Sequence, residues 1–163
     1  MERGFTLHEV LLVSGILGFL LLLSLPSLQT YRYRLQLQQA ADDLTQLVRS
    51  ARLQAIASDH VVWVGAAHNG DLCMWFDEQR PASCTATNAL ANPPATQVQV
   101  NPVFGNFTAT RFFPGSGMAG FAQGRFELFH EALPDESLRI VVSSLGRIRT
   151  CAVGPRQLRT TPC

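Results

Sequence analysis

The sequence predicts an α+β fold, in which one long N-terminal helix is followed by an antiparallel β domain. Two observations support this. No Asp, Glu, Lys or Arg occurs in the 22 residues from Val10 to Tyr31, and a helix needs about 20 such residues to cross a membrane. After residue 60, short apolar runs bounded by Gly, Pro and Asn are typical of strands and turns. The first half of the helix is therefore expected to span a membrane, and the second half to pack on the β domain.

The helix is expected to run from about Phe5 to about Ser58. Residues 5–28 form an apolar, transmembrane half. Residues 29–60 form an amphipathic half, because small or apolar residues recur there at spacings of four and three, which place them on one helical face. These residues are Leu37, Ala41, Leu44, Val48, Ala51 and Ala55.

Residues 61–163 are predicted to form a C-terminal β domain that ends in a basic tail. Asn69-Gly70 lies between the first two apolar runs and is a strong hairpin signal. The predicted strands are Val61–Val64, Leu72–Phe76, Gln97–Val100, Phe107–Phe113, Arg125–His130, Leu138–Ser143 and Arg147–Val153.

The chain has four cysteines, Cys73, Cys84, Cys151 and Cys163, and none lies in a C-x-x-C pattern. A zinc site is therefore not expected. An even number of cysteines downstream of an export segment favours two disulfides in an oxidising compartment. Three pairings are possible. The local pairing, Cys73–Cys84 with Cys151–Cys163, is favoured because each bond closes a short loop.

The first residues carry a recognisable export pattern. Gly4 precedes the apolar run and is followed directly by Phe5, Glu9 lies four residues after Phe5, and Pro26 lies at a position where a proline would kink the helix. This arrangement resembles the class III signal of type IV pilins and pseudopilins. The resemblance implies that residues 1–4 are a leader removed by a prepilin peptidase after Gly4, and that Phe5 is then N-methylated. It also implies that Glu9 serves filament assembly, since an apolar-embedded carboxylate needs a cation such as a neighbouring subunit's N-terminal amine.

The C-terminal half resembles the FimT/GspH branch of the same superfamily. The matching segments are Phe112 to Gly115, Arg125–His130, Leu138–Ser143 and Gly146-Arg147. The resemblance implies a single-pass protein of the bacterial inner membrane with a periplasmic domain, which is incorporated into a pilus filament with other major and minor pilins. Within this branch, the DNA-uptake members similar to FimT are favoured.

Basic residues are concentrated at the C-terminus. Residues 137–163 contain no Asp or Glu and five arginines: Arg139, Arg147, Arg149, Arg156 and Arg159. In a strand, residues i and i+2 point to the same face, so Arg147 and Arg149 are expected to project together, while Gly146 allows the preceding turn. In minor pilins similar to FimT, a GRxR motif at this place binds double-stranded DNA, and the resemblance implies that role here.

The sequence does not predict an enzyme, a metal site or a cofactor. The histidines are scattered, and Gly115 to Gly120 match G-x-G-x-x-G without the helix that a nucleotide site requires. The favoured function is therefore electrostatic DNA capture by a minor type IV pilin during natural transformation. Two alternatives stay open: a structural minor pilin that primes pilus assembly, and a pseudopilin of a type II secretion system.

Overall fold

The computed structural model describes residues 6–68, 71–77, 79–85, 97–105, 108–154 and 160–163, with the side chains of residues 21–27 outside the description. In these ranges the chain forms one long helix, α1 (Leu7–Ala57), and a short 3-10 helix, Gly120–Ala122. The strands are β1 (Val62–Ala66), β2 (Leu72–Phe76), β3 (Val98–Val103), β4 (Ala109–Phe112), β5 (Gly124–His130), β6 (Leu133–Val142) and β7 (Ile148–Val153). The predicted α+β fold is confirmed.

Helix α1 begins and ends within two residues of its predicted bounds. Thr6 caps its N-terminus by accepting a hydrogen bond from the backbone N–H of Glu9, and the N–H of Ser58 donates to the carbonyl of Gln54 at its C-terminus. The six residues predicted to share one face, Leu37 to Ala55, are each at most 1% exposed. The amphipathic half therefore packs as its periodicity predicts.

The described side chains in the N-terminal half of α1 make no comparable packing contacts. Its apolar side chains from Leu7 to Leu20 are exposed, with Leu7 at 75% and Phe19 at 63%. Within the described residues, no helix has both the length and the apolar character needed to cross a membrane. The transmembrane segment at residues 5–28 stays a prediction.

The strands form two antiparallel sheets, which the sequence pattern does not distinguish. One sheet has the order β2-β1-β4 and the other has the order β3-β5-β6-β7. Both cover the buried face of α1, and Phe112, Phe126 and Ile140 are fully buried between sheets and helix. Pro102 lies in β3, where its missing N–H is tolerated because β3 is an edge strand.

Strand β6 differs most from its predicted bounds. The sequence places its start at Leu138, because Pro134 and Asp135 resemble turn residues. In the structure the β5–β6 turn is already complete at Ala132, and Leu133 pairs with His130. The additional length brings Glu136 onto the buried face, where its carboxylate binds the Arg34 guanidinium of α1 through contacts of 2.6–3.2 Å. This ion pair joins the helix to the sheet.

Both local disulfides are present, which is the pairing that the sequence analysis favours. Cys151 lies in β7 and Cys163 is the last residue of the chain, with their Cα atoms 4.9 Å apart. The N–H of Cys163 also donates to the carbonyl of Ala152. Cys163 is therefore held against the C-terminal part of β7.

Candidate nucleic-acid interface

The turn between β6 and β7 determines where the arginines of the GRIR motif, Gly146-Arg147-Ile148-Arg149, lie. Within it the N–H of Gly146 donates to the carbonyl of Ser143 over 2.8 Å, and the N–H of Ser143 donates to the carbonyl of Arg147 over 3.0 Å. Gly146 has φ +74°, in the left-handed region that favours glycine. Its Cα also lies so close to the carbonyl oxygen of Gly117 that a Cβ would overlap it. The turn is thus fixed from both sides and presents Arg147 in one position.

Arg147 and Arg149 are both exposed. The strand begins at Ile148, one residue later than predicted, and Ile148 packs against the core while Arg149 pairs with Val141. Arg147 precedes the strand but is held by the Ser143 pairing described above. Among the described residues, no ion pair involves either guanidinium. Two positive charges therefore face solvent at this end of the domain.

Arg139 is in a different electrostatic setting. It lies opposite Glu127 of β5, and its Nε is 3.0 Å from the Glu127 carboxylate, which Arg125 also contacts at 2.7 Å. The hydrogen bond from Arg125, together with the charges of Arg125 and Arg139, holds the pKa of Glu127 below its usual value. Residues 137–163 contain no acid of their own, but strand pairing places the Glu127 carboxylate beside Arg139, where it offsets part of the arginine's charge.

Helix α1 adds to the site two arginines that lie outside the GRIR motif. Arg49 and Arg52 line an open groove of about 530 Å³ together with Arg147, and Leu53, Leu145 and Ile148 supply its apolar walls. The Nε of Arg52 donates to the carbonyl of Gly117 over 3.1 Å. The sequence signal for their shared position is helical spacing, because residues three apart, such as Arg49 and Arg52, lie on the same side of α1.

The remaining predicted site residues are either outside the described residues or distant from this cluster. Gly4, Phe5, Arg156 and Arg159 lie outside the described residues. Glu9 is exposed in the first turn of α1, roughly 60 Å along the helix axis from Arg49 at 1.5 Å per residue. Thr6 and Glu9 have the T-x-x-E spacing of a capping box, which is a sequence signal for the start of a helix. Glu9 and the arginine site thus lie in separate regions of the described structure.

Comparison with known proteins places this architecture in a family. Residues 40–146 match the family model described as GspH, type II transport protein GspH. The chain belongs to the GspH family. It is a pilin-like protein of the minor pilin and pseudopilin class.

Two individual proteins are also similar. The pilin-like protein PilA1 of Thermus thermophilus is 57% identical over 55 residues, which is 34% of each chain. The match therefore spans about a third of that relative's length. The crystal structure of the type IV minor pilin FimU of Pseudomonas aeruginosa superposes with a TM-score of 0.58 at 17% identity, and covers 77% of this GspH-family chain and 92% of FimU. At this identity the FimU likeness establishes the pilin-like fold.

Proposed function

We propose that this GspH-family protein is a minor type IV pilin that captures double-stranded DNA for uptake in natural transformation. Arg147 and Arg149 are the primary contacts. The observation that carries the proposal is that Arg147 and Arg149 are both exposed and without an ion pair among the described residues, one at a turn packed against Gly117 and the other in β7. Exposed, unpaired cations at the end of a domain are suited to binding a phosphate backbone.

The proposed capture is electrostatic and largely independent of base sequence. The arginines lie on a turn and a strand end, and neither element is shaped to enter a groove of the duplex and contact base edges. Arg156 and Arg159 add charge in the same tail, and Arg139 contributes less because Glu127 binds it. Binding is therefore expected to be reversible and to weaken steeply as salt increases.

The N-terminal half of the chain would deliver this site to the filament. In the proposed pathway, prepilin peptidase cleaves after Gly4, Phe5 is methylated, and the apolar half-helix anchors the protein in the inner membrane. The exposed apolar side chains from Leu7 to Leu20 then pack among the helices of other pilins, with Glu9 paired to a neighbouring N-terminal amine. The β domain, periplasmic before assembly, would present the arginines to DNA.

The experiment is a mobility-shift titration of duplex DNA with the full chain in non-ionic detergent. Arg147→Gln/Arg149→Gln removes the two charges, and Arg147→Lys/Arg149→Lys is the matched control that keeps them. We expect the wild type and the lysine variant to shift DNA at low salt, because a phosphate also accepts a lysine as a point charge. We expect the glutamine variant to lose the shift. Equal binding by the wild type and the glutamine variant would show that these arginines are not the DNA site.

A second candidate is a pseudopilin of a type II secretion system, which the description of the matched family favours. In that case the arginines would contact an acidic face of a neighbouring pseudopilin. Absence of DNA binding at low salt, combined with binding to other pseudopilins that depends on Arg147 and Arg149, would support this candidate over DNA capture.

A further inference from the structure

We infer that Arg49 and Arg52 of α1 also contact DNA, and that together with Arg147 they form a groove for the phosphodiester backbone. This inference rests on the proposed function and adds residues outside the GRIR motif. It also gives the bound strand a path from Arg147, at the β6–β7 turn, to the helix. Arg147 is the arginine that the turn and the groove share.

The first argument is charge. Three arginines line the groove, and none of the described residues that line it is Asp or Glu. Arginine keeps its charge at any physiological pH. Like charges brought together on one surface repel one another, and a polyanion that enters the groove relieves this repulsion. The groove therefore has the electrostatics of an anion site.

The second argument is that the groove is built by specific contacts. The Thr45 hydroxyl of α1 lies 3.1 Å from the Thr150 hydroxyl of β7, which fixes strand and helix side by side. Arg49 follows Thr45 by about one helical turn and so lies beside the first residue of β7, Ile148. Arg52 is held by its bond to the Gly117 carbonyl, in the loop against which Gly146 packs. The two sides of the groove are thereby kept at a constant separation.

The third argument favours a polymer over a small anion. The groove is open, and Leu53 and Leu145 at its rim are 66% and 67% exposed. A small anion is usually enclosed by polar donors, whereas a nucleic-acid backbone offers phosphates to the arginines and sugar carbons to apolar side chains.

The test compares two arginines of the same helix. Arg49→Gln removes a groove charge at an exposed position, and Arg32→Gln removes a charge at another exposed position of α1, roughly 25 Å away along the helix axis. Both are made in the full chain in non-ionic detergent, and binding to duplex DNA is followed as salt increases. We expect Arg49→Gln to reduce the magnitude of the log–log salt slope by about 0.9 and to weaken binding about three- to tenfold at moderate salt. Arg32→Gln should leave both unchanged.

The outcomes separate this inference from the proposed function. An unchanged slope for Arg49→Gln, with loss of binding in Arg147→Gln/Arg149→Gln, would overturn the groove and leave the function in place. No binding by the wild type would overturn the function itself. If inorganic phosphate alone stabilises the wild type but not Arg49→Gln against heat, while the DNA slopes agree, the groove binds a free anion and the inference is wrong.

Discussion

Replacing Gly146 with alanine tests whether the β6–β7 turn is fixed as the structure indicates. Alanine at φ +74° costs about 1 kcal/mol of backbone strain. The new Cβ would also overlap the carbonyl oxygen of Gly117 and lie 3.0 Å from the Nε of Arg52. Displacing packed groups in this way costs about 1–3 kcal/mol. We therefore expect the free energy of unfolding to fall by about 2–4 kcal/mol.

Gly115 provides the matched control. It also has a positive φ, +68°, but a Cβ built there has no neighbour within 4 Å. Gly115→Ala should therefore cost about 1 kcal/mol, the backbone term alone. Both variants are measured by urea unfolding of the full chain in detergent. If Gly146→Ala destabilises the protein no more than Gly115→Ala, the close contact between the turn and Gly117 is not as described, and the geometric argument for a rigid arginine site fails.

Three further predictions concern the packing that holds the site. Leu44→Ala, at a fully buried position, should cost about 3 kcal/mol in urea unfolding, whereas Leu53→Ala, at 66% exposure, should cost under about 0.5 kcal/mol; similar losses would contradict the assigned helix face. Arg34→Gln should cost about 3 kcal/mol, because it leaves the 6%-exposed Glu136 carboxylate unpaired. Glu136→Gln added to Arg34→Gln should restore much of that loss, and additive losses would refute the pairing. The pKa of Glu127 is lowered from its ordinary value of 4.5, so its ion pair stabilises the folded protein above pH 4.5, and this stability is lost as the pH falls through the folded-state pKa. The free energy of unfolding should therefore depend less on acid pH in Glu127→Gln than in the wild type. An unchanged pH profile would show that this ion pair does not contribute to the acid dependence.

Local patterns in the sequence predict the helix, the disulfides and the turn. The periodicity from Leu37 to Ala55 identifies the buried face of α1, because helix geometry alone decides which residues share it. The left-handed conformation of Gly146 follows similarly from its place in a turn. These features depend on residues close together in the chain.

The remaining features depend on tertiary contacts. Glu127 offsets Arg139 only because the register of β5 and β6 places them opposite each other. Arg49 joins the arginine site only because α1 packs beside β7. Neither pairing has a signal in the local sequence. A count of charges along residues 137–163 therefore does not show that Glu127 pairs with Arg139, or that Arg49 of the helix adds positive charge beside Arg147.

The most direct test of DNA capture is the salt dependence of duplex binding by the wild type and by Arg147→Gln/Arg149→Gln. If each arginine neutralises one phosphate, the log–log slope of the wild type should exceed that of the variant by about 1.8 in magnitude. Equal slopes, or no binding by the wild type at low salt, would contradict the account.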